Sequence, residues 1–324
     1  MAGLLDPLTI KGITLRNRIV MPPMLTNLAA PDGSVTDRLI EHYLRRCSML
    51  GLLIMEASYV STGGSLSERQ LGIYSDTLIP GLKRLAQAIH GKGTPVAVQI
   101  FHAGAKAYVG SGSFQPVAPS ATESARELTL SEIDRLLDEF AQAAQRALNA
   151  GFDGVEVHGA HGFLVNQFFS PLTNRRGDRY GGSLENRIRF PLEVVGRVKA
   201  KIGGRLLLYR IGADDLTPGG TKIEDSIRLA MALEEAGVDI IDVSGGLCGS
   251  RPMELQDIPG YFIPEAKKIK STVNIPVIGV GNIKDFKYAN RLIEDGDVDL
   301  VAVGRQLMSD PDWALKAIRE LGTI

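Results

Sequence analysis

The chain has 324 residues, with 36 Lys plus Arg against 37 Asp plus Glu and a formal net charge of −1, so no global field recruits nucleic acid or an anionic membrane surface. Cys47 and Cys248 are its only cysteines, far apart and without CxxC spacing, which argues against a disulfide framework or a thiolate metal site and makes a reducing cytoplasm the default. The N-terminus lacks a basic and an apolar leader region, and no apolar run approaches a bilayer span, so a soluble protein is expected.

In chain order, residues 8–15 (LTIKGITL) read as a hairpin, and strand-like runs follow at 18–22, 52–56, 96–101, 154–158, 206–211, 240–244, 277–280 and 300–303. Helical patterns fit at about 36–50, 80–92, 131–150, 184–202, 222–236, 261–271, 284–295 and 311–320. Thr129 with Glu132 and Thr221 with Glu224 carry the spacing of capping boxes. One local pattern recurs three times: Gly151 and Asp153, Gly237 and Asp239, and Gly296 and Asp299 each precede a buried run, with glycine as the helix stop. Strict alternation of strand and helix predicts parallel βαβ units, hence an α/β (β/α)8 TIM barrel over 1–324 as a single domain, its bottom plugged by the N-terminal β-hairpin cap.

A barrel places its chemistry just after its strands. Gly279, Gly281 and Asn282 follow the seventh run, and Gly304 and Arg305 the eighth, each leading into a helix whose amides can cradle a phosphate. Glycine after a buried strand is more often only a turn, but loops seven and eight are where barrels bind phosphate, so the two together weigh more than either. The third run ends at Gln99, His102 and Lys106, the fifth at Arg210. Gln99 offers both donors and an acceptor, suited to the imide edge of a flavin, and Arg210 can stabilise anionic charge on the reduced ring; the bland alternative pairs Arg210 with Asp214 or Asp215.

The fourth run delivers His158 and His161 into a glycine-rich loop. Three readings compete: a metal pair with Glu156 as third ligand, a satisfied structural pair, or two donors aimed at one developing oxyanion, the last carrying most weight. His42 and His90 fall in helices and read as surface or capping residues.

Specific motifs then line up: 15–22 (LRNRIVMP), Glu56 to Ser58, 99–104 (QIFHAG), 158–162 (HGAHG), 167–187 (QFFSPLTNRRGDRYGGSLENR), 303–305 (VGR) and Asp310 with Pro311. On these the chain resembles the Old Yellow Enzyme family of FMN-dependent oxidoreductases over essentially its whole length. The resemblance implies FMN at the barrel mouth and NADH or NADPH as reductant. The cofactor set it suggests, with the loop residues above, is Pro23, Met24, Leu25, Ala57, Gln99, Arg210, Gly246, Gly281, Asn282, Gly304 and Arg305. His158 and His161 match the pair that grips a substrate carbonyl, and Asn27, Lys106 and Phe163 are the expected substrate contacts. The implied reaction passes hydride from NAD(P)H through flavin to the C=C bond of an enone or enoate. In the GGSLENR run Ser183 is expected to cap the fourth helix and Arg187 to pin the preceding loop.

The chain departs from the family pattern in four places. Phe163 stands where a tyrosine commonly protonates the α-carbon, leaving water or another hydroxyl, Tyr108, Tyr180 or Tyr261, as the source. Leu25 occupies a position where many relatives carry Cys or Thr, with Thr26 next to it; Asn27 replaces a tyrosine of some compact relatives, and Ala105 an arginine. The 22–27 (PPMLTN) and HGAHG segments look most like the barrel of 2-enoate reductase and dienoyl-CoA reductase relatives, which continue into a cysteine cluster and a dinucleotide domain. The flavin is therefore expected to take electrons directly from a nicotinamide or from a separate protein. The competing readings are a flavoprotein electron-transfer subunit or flavin reductase serving a partner, and a flavin-free phosphosugar enzyme on the same barrel. Family analogy also allows a homo-oligomer.

Overall fold

A computed structural model describes residues 2–110 and 114–322; of the expected 1–324 span, residues 1, 111–113 and 323–324 lie outside the described residues. The chain opens with a hairpin, β1 (Leu8–Ile10) and β2 (Ile13–Leu15), then β3 (Ile19–Met21), α1 (Asp37–Leu44), β4 (Leu52–Tyr59), α2 (Ile79–His90) and β5 (Val96–Phe101). Two short strands, β6 (Val117–Ala118) and β7 (Arg126–Glu127), precede α3 (Leu130–Ala150), β8 (Gly154–Gly159), α4 (Leu164–Phe169), α5 (Leu184–Arg187), α6 (Arg189–Ile202) and β9 (Leu206–Gly212). The remainder is α7 (Ile223–Ala236), β10 (Ile240–Ser244), α8 (Ile263–Lys270), β11 (Val277–Gly279), α9 (Phe286–Glu294), β12 (Leu300–Ala302), α10 (Arg305–Ser309) and α11 (Trp313–Leu321).

Strands β3, β4, β5, β8, β9, β10, β11 and β12 close into one barrel, and β12 returns to β3 with Val301 opposite Ile19 and Ala302 opposite Val20. The expected (β/α)8 barrel is thus present, every expected run lying on a barrel strand. Among the described residues no helix is long and apolar enough to cross a membrane.

Period-two alternation decides what each strand presents. Val155 and Val157 of β8, Tyr209 and Ile211 of β9, and Ile241 and Val243 of β10 face outward into the shell shared with the helices. The opposite faces point inward and change character along the strand. Ala97, Leu206, Leu208, Ile240, Ile278 and Leu300 fill the lower barrel, where Ile10 and Leu15 of the hairpin pack against them. Above them the inward positions turn polar, with Gln99, Glu156, His158, Arg210, Asp242 and Ser244 all buried. The hairpin is fastened to the same end by Lys11, whose ammonium reaches Asp239 at 2.9 Å and the Arg205 carbonyl at 3.2 Å. It plugs the bottom, as expected.

The recurrent glycine and aspartate have one shared function. Gly151 and Gly237 end α3 and α7 in the left-handed conformation, and Gly296 follows α9 at φ 71°. Each aspartate then donates its amide to, and accepts with its carboxylate from, the first residue of a neighbouring strand or the one after it: Asp153 with Val96, Asp239 with Leu207, Asp299 with Val277.

Three helix expectations are corrected. The helix expected over 36–50 stops at Leu44, where the chain tightens into a turn with the Arg46 amide on the Tyr43 carbonyl at 2.9 Å. The single helix expected over 184–202 breaks at Ile188 into α5 and α6, because Pro191 has no N–H to give the Arg187 carbonyl a continuous helix would require. Thr221 does not cap α7: the helix starts from Lys222 with no side-chain cap, while the Thr221 amide is spent on the Asp215 carboxylate at 2.8 Å. The other signals hold. Thr129 and Glu132 form a full capping box, Ser183 caps α5, and Arg187 donates to the Phe169 and Gly182 carbonyls at 2.9 and 2.6 Å.

Candidate active site

A cavity of about 630 Å³ opens at the C-terminal mouth of the barrel, a size that suits a cofactor or small ligand. Pro23, Met24, Leu25, Ala57, Gln99, His158, His161, Phe163, Arg210, Asn282, Gly304 and Arg305 all line it. Gly246, Gly281, Asn27 and Lys106 are not among its lining residues. Gly246 gives its amide to the Asp214 carbonyl at 2.8 Å, and the Gly281 carbonyl accepts from Gly260. Asn27, at φ 55°, accepts from the Ser67 hydroxyl at 2.6 Å. Lys106 turns away to the His161 carbonyl, 2.7 Å off, and lies 5.4 Å from the centre of the Phe163 ring.

His158 sits at the inward end of β8, and its Nδ1 accepts the Ala160 amide at 3.3 Å, which leaves the proton of the neutral ring on Nε2. Burial pushes its pKa well below the usual histidine range, and the positive charges of Arg210 and Lys106 add to the effect. His161 follows in a tight turn at φ 60°, a left-handed conformation that a non-glycine residue rarely adopts. Three contacts hold it there: its amide donates to the Gly245 carbonyl at 3.0 Å, its own carbonyl accepts from Lys106, and Nε2 lies 2.8 Å from Ser244 Oγ. Burial, then His158, Arg210 and Lys106, push His161 down as well. Both rings are therefore neutral near pH 7 and lie edge to face, 4.9 Å between centres at 85°.

Phe163 completes an aromatic corner, its ring 5.0 Å from both Phe101 and His158 and close to perpendicular to each. Of the three tyrosines considered as proton sources, only Tyr261 lines the cavity. Its hydroxyl donates to the Ser250 carbonyl at 2.7 Å and accepts from Arg305 at 3.2 Å. Tyr180 is buried with its hydroxyl on Glu193, and Tyr108 is exposed.

Glu156 does not stand as a third ligand for the histidines; its Oε1 accepts from Gln99 Nε2 at 2.7 Å. Arg210 pairs neither with Asp214 nor with Asp215 but with Asp242, Nε to Oδ2 at 3.0 Å, an ion contact without hydrogen-bond geometry. Asp215 is committed to Ser170, Thr221 and Leu247, and Asp214 to Leu216. Burial raises both acids of the Arg210 cluster, Glu156 further because the Asp242 charge adds to it, while Arg210 pulls each back down. Behind the wall at Met24 and Leu25, the Thr26 hydroxyl is held by Glu56 at 2.6 Å rather than presented to the cavity. His90 bonds Asp153 at the end of α2, and His42 sits in the last turn of α1 beside Arg46, away from the mouth.

Asp242 and Ser244 escaped the sequence reading. Their signal was the alternation of IIDVS, which puts Ile240, Asp242 and Ser244 on one face of β10.

The pattern of the NADH:flavin oxidoreductase / NADH oxidase family matches residues 3–323. The chain is 44% identical over 321 residues to an NADH oxidase of Thermoanaerobacter brockii, covering 95% of this chain and 49% of that protein, so it spans about half of that relative's length. It is 40% identical over 328 residues to an NADPH dehydrogenase of Geobacillus sp. (strain WCH70), covering 99% of this chain and 95% of the relative. Among solved structures, an Old Yellow Enzyme homologue from Zymomonas mobilis superposes with a TM-score of 0.86 at 31% identity, over 100% of this chain and 94% of the other.

Proposed function

The chain belongs to the NADH:flavin oxidoreductase / NADH oxidase family, the Old Yellow Enzyme group its motifs resemble, and on that premise we propose that it is an FMN-dependent ene-reductase that takes hydride from NADH or NADPH and delivers it to the C=C bond of an enone or enoate. The observation that carries the reading is the perpendicular His158–His161 pair at the mouth of a cavity that Gln99 and Arg210 also line. The donor set suits a flavin. Gln99 keeps its carbonyl oxygen and one N–H for the cavity, Arg210 lines it with Nε turned to Asp242, and Pro23, Met24 and Ala57 supply apolar wall. Asn282, Gly304 and Arg305 form the end suited to a phosphate. FMN, when bound, supplies the hydride transfer itself.

The protein's part is to bind, orient and polarise. His158 donates from Nε2–H to the substrate carbonyl oxygen, and the Ser244 hydroxyl 2.8 Å from His161 Nε2 supports the tautomer in which the second ring offers its proton from Nδ1 when the hydroxyl donates. Because both rings are neutral, each acts as a fixed hydrogen-bond donor to charge that builds in the transition state, worth roughly 3 kcal/mol apiece. Phe163 shapes the pocket and supplies no proton, so protonation of the α-carbon falls to water or to Tyr261, the one of the three named tyrosines that lines the cavity.

The test is the oxidative half-reaction of FMN-loaded protein with an activated enone. His158→Ala is expected to slow it by about 10²–10³-fold with FMN still bound; full activity in that variant would sink the mechanism. The position of Phe163 favours one second reading, electron delivery to a partner protein, and rapid NAD(P)H oxidation coupled to enones without any partner counts against it. A visible flavin spectrum on the native protein disposes of the flavin-free barrel enzyme.

A further inference from the structure

Behind the cavity wall lie two acids that the proposed reaction does not use. Gln99, Glu156, Arg210 and Asp242 project into the barrel from the neighbouring strands β5, β8, β9 and β10, with Gln99 registered against Glu156 and Arg210 against Asp242. Gln99 and Arg210 line the cavity, whereas Glu156 and Asp242 are fully buried behind them. Among the described residues Glu156 Oε2, both oxygens of Asp242 and Arg210 Nε have no hydrogen-bond partner, an unusual concentration of unpartnered polar atoms for one site. Two buried carboxyl groups face one guanidinium.

The geometry gives each acid a separate task. A glutamine amide fits its pocket equally well either way round unless a neighbour accepts or donates selectively. Glu156 Oε1 accepts from Gln99 Nε2 at 2.7 Å, which fixes the amide with its carbonyl oxygen toward the cavity. Asp242 holds Arg210 by charge at 3.0 Å without occupying a directed hydrogen bond, so the guanidinium is aimed while its donors stay available.

We propose that Glu156 and Asp242 are positioning residues for the polar edge of the cofactor site: Glu156 sets which way round the Gln99 amide stands, and Asp242 both aims Arg210 and offsets part of its charge. The chemistry this presents is one carbonyl acceptor beside one partly balanced cation, matched to a planar imide that carries an N–H and gains negative charge on reduction. The inference rests on the FMN reading given above and names how this chain tunes that site.

The test reconstitutes apoprotein with FMN and measures the dissociation constant and the reduction potential of the bound flavin for wild type, Glu156→Gln, Glu156→Leu and Asp242→Asn, with the thermal midpoint of each apoprotein alongside. Glu156→Gln keeps the volume but offers Gln99 a donor as well as an acceptor, and Glu156→Leu offers neither, so both free the amide to stand either way round; glutamine is expected to weaken FMN binding about threefold or more and leucine about tenfold or more. Asp242→Asn leaves Arg210 with its full charge and favours reduced over oxidised flavin about tenfold, a rise of ~30 mV for the two-electron couple. A merely structural role would lower the thermal midpoints and move neither the potential nor the affinity of the folded variants for FMN. Wild type that binds FMN while Glu156→Leu binds equally well and Asp242→Asn keeps the wild-type potential overturns the inference alone; wild type that takes up no FMN overturns the functional reading and the inference together. Should leucine at 156 prevent folding, an unshifted potential in the isosteric Asp242→Asn is by itself enough to overturn it.

Discussion

Glu56 is a buried acid with two hydroxyl donors, Thr26 and Tyr43 both reaching its Oε2 at 2.6 and 3.2 Å, and among the described residues Oε1 has no hydrogen-bond partner and no cation pairs with the carboxylate. Burial pushes its pKa from 4.5 up to about 7, against the pull of those hydrogen bonds. Between these two values the unfolded chain has released a proton that the fold retains, so stability falls as pH rises through the window, by no more than ~3 kcal/mol, and levels off above it. Glu56→Gln keeps an acceptor for both hydroxyls and removes the titration; chemical denaturation at stepped pH is expected to show a flatter profile over that window, and an unchanged slope would assign the effect to other groups. Phe163 is the other residue whose chemistry is set one side chain at a time. Phe163→Tyr adds an acid in the aromatic corner beside His158. Its oxidative half-reaction with a weakly activated alkene is expected to accelerate by about tenfold or more, within the range general acids supply. An unchanged rate means that the proton is already delivered from elsewhere or that its transfer does not limit the half-reaction.

At the scale of elements, one sequence signal had two outcomes. Thr129 with Glu132 and Thr221 with Glu224 share their spacing, yet only the first pair caps a helix. The difference is where the helix begins: Asp215, six residues earlier, takes the Thr221 amide on its carboxylate and gives its own amide to the Thr221 carbonyl, the helix starts one residue later from Lys222, and among the described residues the buried Thr221 Oγ1 has no hydrogen-bond partner. Thr129→Ala should therefore cost about 1 kcal/mol. The nearly isosteric Thr221→Val, which removes an unsatisfied hydroxyl, should be neutral or stabilising. Denaturant midpoints of the two variants test the contrast, and equal losses would refute it. The aspartates before β8, β10 and β12 teach the converse. Their recurrence was legible, but their function needed the adjacent strand, since each binds a residue 22 to 57 positions away.

For the whole molecule, stability and chemistry are segregated to opposite ends of the barrel. Leu15 is fully buried in the lower cluster, where the hairpin closes the N-terminal end, while the cavity opens beyond the other ends of the strands. Leu15→Ala is expected to cost 2–5 kcal/mol, in the usual range for a buried leucine, with the FMN dissociation constant unchanged at temperatures where the variant stays folded. A parallel loss of cofactor affinity would mean that the plug and the mouth are coupled.

Alternating strands and helices, the glycine stops and the motifs around His158, Gln99 and Arg305 were enough to determine the barrel and twelve of the residues that line the cavity, because pattern period and strand-end position are local properties of the chain. Tertiary structure alone decided the partners: Asp242 rather than Asp214 for Arg210, Gln99 for Glu156, Ser244 for His161, and the turning of Lys106 and Asn27 away from the cavity lining. The physical reason is distance in sequence. Arg210 and Asp242 are on adjacent strands 32 residues apart, Ser244 lies 83 residues from His161, and which charge or hydroxyl a side chain meets is set by the register in which the strands close, a quantity that no single segment carries.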